Sequence, residues 1–400
     1  MGYLALTHSD NPTQFDVLIT GLNSRGRLRD ISSLTAMRGG LAVWVVAYHF
    51  WNRVLQFFPA LAVFSPIARR GLMAVPAFFM LSGFVLAFNY ANRLRQLEFS
   101  QTVRFLLTRL ARIYPVHLAT LLAVALMVAI SHRAGMGLTE SGYSAHAFVL
   151  NLFLVHTWIP DFSLNWNYPS WSVSSEWFAY LLFPFIVAWG TSRLTTPKNA
   201  LVCGLIALAA SAGVMMFWKP LPFYEIVLVI PTFIAGMSIS YALTGRGGHS
   251  WCSPWAADCV AISIPAVCLI RSLTVNTPAL LCLFFALIAA LACLKDGCHR
   301  FWKARFTVFL GDVSYSLYMT HTLAQKIGDK LLPSSRLAMS SSLLRLGALA
   351  LDAAFVAALC LGCYYLVEKP CRDGFRGLLR RSIAVPIEQG SCTAPCQPSV

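Results

Sequence analysis

Two ionisable residues eleven positions apart carry the first chemical signal in this sequence. In LTAMRGGLAVWVVAYHF, Arg38 and His49 would be separated on a helix by three turns plus roughly 20°, so they share a face and stand about 16 Å apart along the axis. An imidazole can take a proton from a hydroxyl or attack a carbonyl itself, and a guanidinium holds an anion through a planar fork of donors. A second constellation, PSWSVSSEWFAYLLFP, sets Glu176 about one turn inside another apolar run. A carboxylate there, beside His49, would orient the ring and raise its basicity. Further on, FLGDVSYSLYMTHTLA carries Asp312, Tyr315, Tyr318 and His321, while Asp258 and Asp352 lie in other apolar stretches. Plainer readings stand beside these: Arg38 as a snorkelling anchor, His49 as a helix-packing hydrogen bond, Ser172 as a helix cap.

The elements that must position these residues are set by composition. The 400 residues are 57% hydrophobic and only 12% charged, with mean hydropathy +0.64, whereas a soluble chain is about one quarter charged. This predicts an all-α, polytopic integral membrane bundle and excludes secreted, fibrous and disordered classes. Runs long enough to cross roughly 30 Å of hydrocarbon fall at 34–52, 71–91, 113–131, 173–190, 200–218, 223–243, 255–273, 278–294, 306–325 and 345–367. About ten transmembrane helices are therefore expected. The piece 146–158 is too short to span and is expected to be re-entrant or interfacial.

The formal net charge of +15 has its simplest cause in orientation, because Lys and Arg accumulate in cytoplasmic loops. With both termini inside, 21 of the 31 Lys+Arg fall on the cytoplasmic side, which predicts a multi-pass protein of the cell (inner) membrane. No nucleic-acid partner is expected, since no basic stretch is interleaved with exposed aromatics. Twelve cysteines show no zinc spacing or disulfide framework, so no metal is expected. The first 33 residues hold no apolar core of signal-peptide length. The organisation expected is a cytoplasmic N-terminal segment 1–33, a transmembrane domain 34–367 and a basic cytoplasmic tail 368–400. The outer segment 132–172 ends in Asn165, Trp166, Asn167, Tyr168, Pro169, Ser170 and Trp171, a polar and aromatic lid that suits carbohydrate stacking or, equally, an ordinary aromatic belt. Buried acids also admit a transporter of glycans or small molecules, although no paired Gly/Pro-broken helices mark corresponding halves.

The blocks in order resemble the membrane-bound acyltransferase 3 family. The Arg38–His49 spacing is similar to that family's first-helix signature, and FFMLSGFVL (78–86), RLARIYPVH (109–117), PSWSVSSEWF (169–178), FLGDVSYSLYMTH (309–321) and VEKPCR (367–372) resemble its following blocks. His117 and Asp312 depart from the residues usual at their positions. The resemblance implies O-acyltransfer, typically O-acetylation, from cytoplasmic acetyl-CoA or another acyl-CoA as donor substrate, with no bound cofactor. The acceptor implied is a hydroxyl of an extracytoplasmic or lipid-linked glycan, such as a polysaccharide or lipooligosaccharide, within membrane lipid. Arg38, His49 and Glu176 become the catalytic candidates, with His49 as base or nucleophile. Arg38, Arg109 and Arg112 become candidates for the CoA phosphates, and Trp171, Ser172, Tyr315 and His321 for substrate contact.

Overall fold

In hydrocarbon each backbone N–H and C=O must be satisfied within its own segment, and these apolar runs accordingly fold as helices. The computed structural model describes residues 31–134, 143–160, 166–219, 221–244, 255–270, 273–294, 300–333 and 341–381. Residues 1–30 of the expected N-terminal segment, 382–400 of the tail, and the lid positions 135–142 and 161–165, Asn165 included, lie outside the described residues. Among the described residues every regular element is helical.

The chain runs through α1 (Ser32–Phe57), α2 (Ala74–Leu94), α3 (Phe99–Arg133), α4 (Ala145–Leu152), α5 (Ser170–Arg193), α6 (Pro197–Gly213) and α7 (Tyr224–Thr244). It continues through α8 (Ala256–Cys268), α9 (Leu273–Ala292), α10 (Arg305–Asp312), α11 (Ser314–Leu331), α12 (Ser342–Cys363) and α13 (Lys369–Arg381). Side-chain oxygens of Ser144, Thr196 and Ser341 accept from backbone N–H groups three residues on and so start α4, α6 and α12, satisfying donors a helix leaves free. The segment 146–158 forms the eight-residue α4 and a single tight turn at His156–Trp158, too short to cross a bilayer.

Among the described residues, seven helical stretches are long and apolar enough to cross a membrane, three fewer than the ten expected. The expected spans that fall outside this set have identifiable features. Helix α1 carries Arg38, His49 and Arg53 within its 26 residues, α8 has only 13 residues, and the expected span 306–325 breaks at Val313 into α10 and the more polar α11. A second difference concerns α3. It begins at Phe99 rather than near 113 and its 35 residues measure about 52 Å at 1.5 Å per residue. Most of the basic segment 92–112 is thus helix, and Arg109 and Arg112, three residues apart, share its face.

Two close helix crossings set the site. A Cβ at Gly83 of α2 would lie 2.0 Å from the Phe233 carbonyl oxygen of α7, and one at Gly236 would lie 1.8 Å from that of Met80, so only glycine lets these backbones meet. At the second crossing a Cβ on Gly311 would fall 1.8 Å from the Thr35 carbonyl oxygen. Backbone contact there brings the α10–α11 break against α1, one turn from Arg38.

Candidate active site

Between α1, α2, α3, α5 and the α10–α11 break lies a cavity of about 330 Å³, within the roughly 300–1,000 Å³ range of small-molecule sites. Arg38, Arg109, Arg112 and Arg372 line it, facing Glu176 and Asp312. Its other walls are aromatic and aliphatic, with Phe78, Phe79, Phe84 and Val85 of α2 prominent. Arg109 donates to the Tyr90 hydroxyl at 3.0 Å and lies 5.2 Å from the centre of that ring. Arg372 lies 3.9 Å from a Glu368 carboxylate oxygen, and Ser316 donates to the other Glu368 oxygen at 2.6 Å. Arg38 and Arg112 make no hydrogen bond or ion pair with a described residue. Four arginines and two carboxylates thus share a space whose other lining is largely apolar, a composition that takes an anion with an apolar arm.

Glu176 does not pair with His49, contrary to the sequence-based expectation. Its carboxylate accepts from Tyr180 at 2.6 Å, and that hydroxyl lies 3.2 Å from Ser82 Oγ. One helical turn separates Glu176 from Tyr180, so the pair closes within α5. The His49 ring instead meets aromatic partners, with centres 5.0 Å from Tyr48, 5.4 Å from Tyr168 and 4.8 Å from His321. Gln325 of α11 donates to the His49 carbonyl at 2.9 Å, so α11 rather than α5 is the element against which this part of α1 is held.

His49 therefore does not join the arginines in lining this cavity. Ser172 and Tyr315 line the arginine cavity, whereas Trp171, His49 and His321 do not. Tyr315 donates to the Ile113 carbonyl at 2.6 Å, tying α11 to α3. Tyr318 lines the cavity, its hydroxyl is 2.8 Å from Ser172 Oγ, and its ring centre is 5.8 Å from that of His321. The contact path from the cavity to His49 runs through Tyr318 and His321. Trp171 packs half-buried on the main apolar core. Sequence reasoning missed Tyr180, Ser82, Asn89 and Arg372 as lining residues; Ser82 and Arg372 lie inside motif blocks, which were the available signal.

The described part of the lid is held by buried polar contacts. His117 Nε2 is 2.8 Å from the Asn151 carbonyl and its Nδ1 3.2 Å from Asn167 Nδ2. A carbonyl only accepts, so Nε2 carries the hydrogen and Nδ1 receives the amide. Asn167 also donates to Thr120 at 3.0 Å, and Ser174 to the carbonyl of Leu154 at 2.8 Å. Leu154 is buried at φ 57, a conformation unfavourable for a side-chain-bearing residue and here fixed by that bond. The unusual His117 is thus a clasp between α3, α4 and the start of α5.

Of the acids that raised the transport reading, Asp352 and Asp258 are engaged in packing, while Asp312 lines the arginine cavity. Asp352 is bound by Arg53 at 2.6 Å, with Asp329 at 3.0 Å from the same guanidinium. Asp258 accepts from Trp302 Nε1 at 2.7 Å.

Comparison with known proteins agrees with this architecture. A family model described as an acyltransferase domain, that of acyltransferase 3, matches residues 31–368. The chain is 28% identical over 380 residues to acyltransferase MdmB of Streptomyces mycarofaciens, covering 86% of this chain and 92% of that protein. It is 24% identical over 306 residues to ORF330 of Acidianus two-tailed virus, a protein provisionally named an acetyltransferase, covering 74% of this chain and 83% of the relative. No solved structure matches significantly. The match includes Arg38, His49, Arg109, Arg112 and His321, and the chain belongs to the acyltransferase 3 family of multi-pass membrane O-acyltransferases.

Proposed function

We propose that this O-acyltransferase moves an acetyl group from acetyl-CoA, presented on the cytoplasmic side of the inner membrane, to a hydroxyl of an extracytoplasmic or lipid-linked glycan. The observation that carries the donor assignment is the convergence of Arg38, Arg109 and Arg112 on one cavity whose other lining is largely apolar. Guanidiniums suit the CoA phosphates, and the α2 aromatics suit the pantetheine arm. Ser172 and Tyr315, which line the same cavity, are assigned to the thioester end of that arm, and Glu176 offsets part of the positive charge. His49, beyond Tyr318, serves the acceptor side together with Tyr168, whose ring meets it, and Trp171, three residues on in sequence, is assigned a second face for a sugar ring.

In the reaction the acceptor hydroxyl oxygen attacks the thioester carbonyl, the carbon–sulfur bond breaks, and His49 removes the hydroxyl proton. Purified protein with acetyl-CoA and an isolated surface glycan should release CoA thiol and acetylate the glycan. His49→Ala should lower kcat by about 10² to 10⁴, the usual contribution of a positioned base, at normal membrane level. Near-wild-type turnover would remove His49 from this role. A strain lacking the protein should show surface glycans lighter by acetyl groups; unchanged glycan masses would redirect the search to small-molecule acceptors.

The orientation is tested in a cysteine-reduced background. An impermeant thiol reagent should label Ala145→Cys in intact cells and Arg104→Cys only after permeabilisation. The opposite pattern inverts the assignment of donor and acceptor sides.

A further inference from the structure

His321 is 1% exposed and hangs from the main chain of the residue that lines the donor cavity: its Nδ1 is 2.6 Å from the carbonyl oxygen of Tyr318. Because that oxygen only accepts, Nδ1 carries the hydrogen and Nε2 is left as a lone pair. Among the described residues Nε2 has no hydrogen-bond partner. A buried polar atom left so is costly, and its persistence calls for a use. The His49 ring packs directly beside it, the two ring centres 4.8 Å apart.

We infer that His321 is the proton-relay partner of His49, holding through Nε2 the proton that His49 removes from the acceptor and returning it to the departing CoA thiolate. This rests on the acyl-CoA reading above. The acceptor O–H bond breaks as the new O–C bond forms, and the proton passes to His49 and then to His321 Nε2. The C–S electron pair leaves with sulfur, and the proton ends on that sulfur as CoA thiol, so no other reactant is needed. The last transfer runs downhill, from an imidazolium of reference pKa about 6.5 to a thiolate of about 8.5. The position of His321 fits, with His49 on one side and, on the other, Tyr318 and its hydroxyl contact with Ser172 at the cavity wall. Glu176 is engaged by Tyr180, and of the three rings that meet His49, those of Tyr48, Tyr168 and His321, that of His321 is the imidazole.

His321→Asn separates chemistry from anchoring, because the Asn amide can still donate to the Tyr318 carbonyl while the lone pair of Nε2 is gone. The relay predicts a kcat lower by about 10² or more, with KM for acetyl-CoA and glycan within twofold, and partial recovery of kcat when imidazole is added to His321→Ala. A merely structural histidine predicts near-wild-type kcat for His321→Asn and no imidazole effect, and that result overturns the relay. Coupling supplies a further readout: His49→Ala and His321→Asn together should cost little more than His49→Ala alone, whereas additive losses count against it. If His321→Asn does not reach the membrane, a proton inventory on wild type decides, curved for two protons in flight and linear against the relay. Absence of transfer by wild type itself would instead overturn the acyl-CoA reading.

Discussion

Helix α1 carries two arginines with opposite situations. Arg53, near its C-terminal end, is buried and bound by Asp352 at 2.6 Å and Asp329 at 3.0 Å. Arg38, near its N-terminal end, is half-buried, has no described partner and shares a cavity with three further arginines. The first arrangement is complete by itself: two carboxylates surround one guanidinium. The second gathers four arginines around an open space lined by only two carboxylates, Glu176 and Asp312, which leaves an excess of positive charge for an anion to offset. The contrast distinguishes an arginine that holds helices together from arginines held ready for a ligand.

The largest effect tests the closed end. Arg53→Ala should destabilise the purified protein by about 3–5 kcal/mol, the usual consequence of removing one partner from a buried ion pair, read by thermal or denaturant unfolding in detergent. Wild-type stability in that variant would break the contrast from the structural side. At the open end, Arg38→Ala should leave the unliganded melting temperature unchanged or slightly raised and weaken acetyl-CoA about 10- to 150-fold, from roughly 1.5–3 kcal/mol for a charged hydrogen bond. The rise in melting temperature that CoA gives the wild type should shrink accordingly, and equal affinity in a non-hydrolysable analogue titration would show that Arg38 is only an anchor. Arg38→Lys should recover part of that loss, since the charge survives and the fork does not; full recovery would mean that charge alone matters. Glu176→Gln should tighten CoA binding by about two- to fivefold, removing a repulsion of about 0.5–1 kcal/mol, measured by the same titration. The smallest effect belongs to Asp258→Ala, remote from both ends, which should lower stability by about 1 kcal/mol through the lost Trp302 bond and leave CoA affinity untouched.

Arg38 and His49 were legible as a pair because helical period alone puts them on one face, whereas Arg109 and Arg112 were legible only as basic residues beside an apolar run, and the start of α3 at Phe99 put them on one face. The partner of His49 was not legible: Glu176 and His321 are both ionisable residues in apolar runs at suitable depth, and nothing in a linear pattern says which helix face meets which. The close glycine crossing of α1 with α10, together with the Gln325 contact to the His49 carbonyl, decided it in favour of α11. Span counting failed at 306–325 for a related reason. The hydropathy run there is continuous through FLGDVSY, but the structure breaks it at Val313, where Ser314 Oγ donates to the Gly311 carbonyl at 2.6 Å.

The sequence by itself determined that this chain is a helical membrane protein, where its helices broadly lie, and that arginine and histidine chemistry shares its first helix. Those properties follow from solvent transfer and from a helical period that each segment carries alone. Only the tertiary structure decided that the arginines open on one cavity while His49 packs against His321 outside its lining, and that Asp352 and Asp258 serve packing. Side chains from helices hundreds of residues apart must dock before these pairs exist, and docking is fixed by backbone approach at a few small residues rather than by the polar groups it brings together.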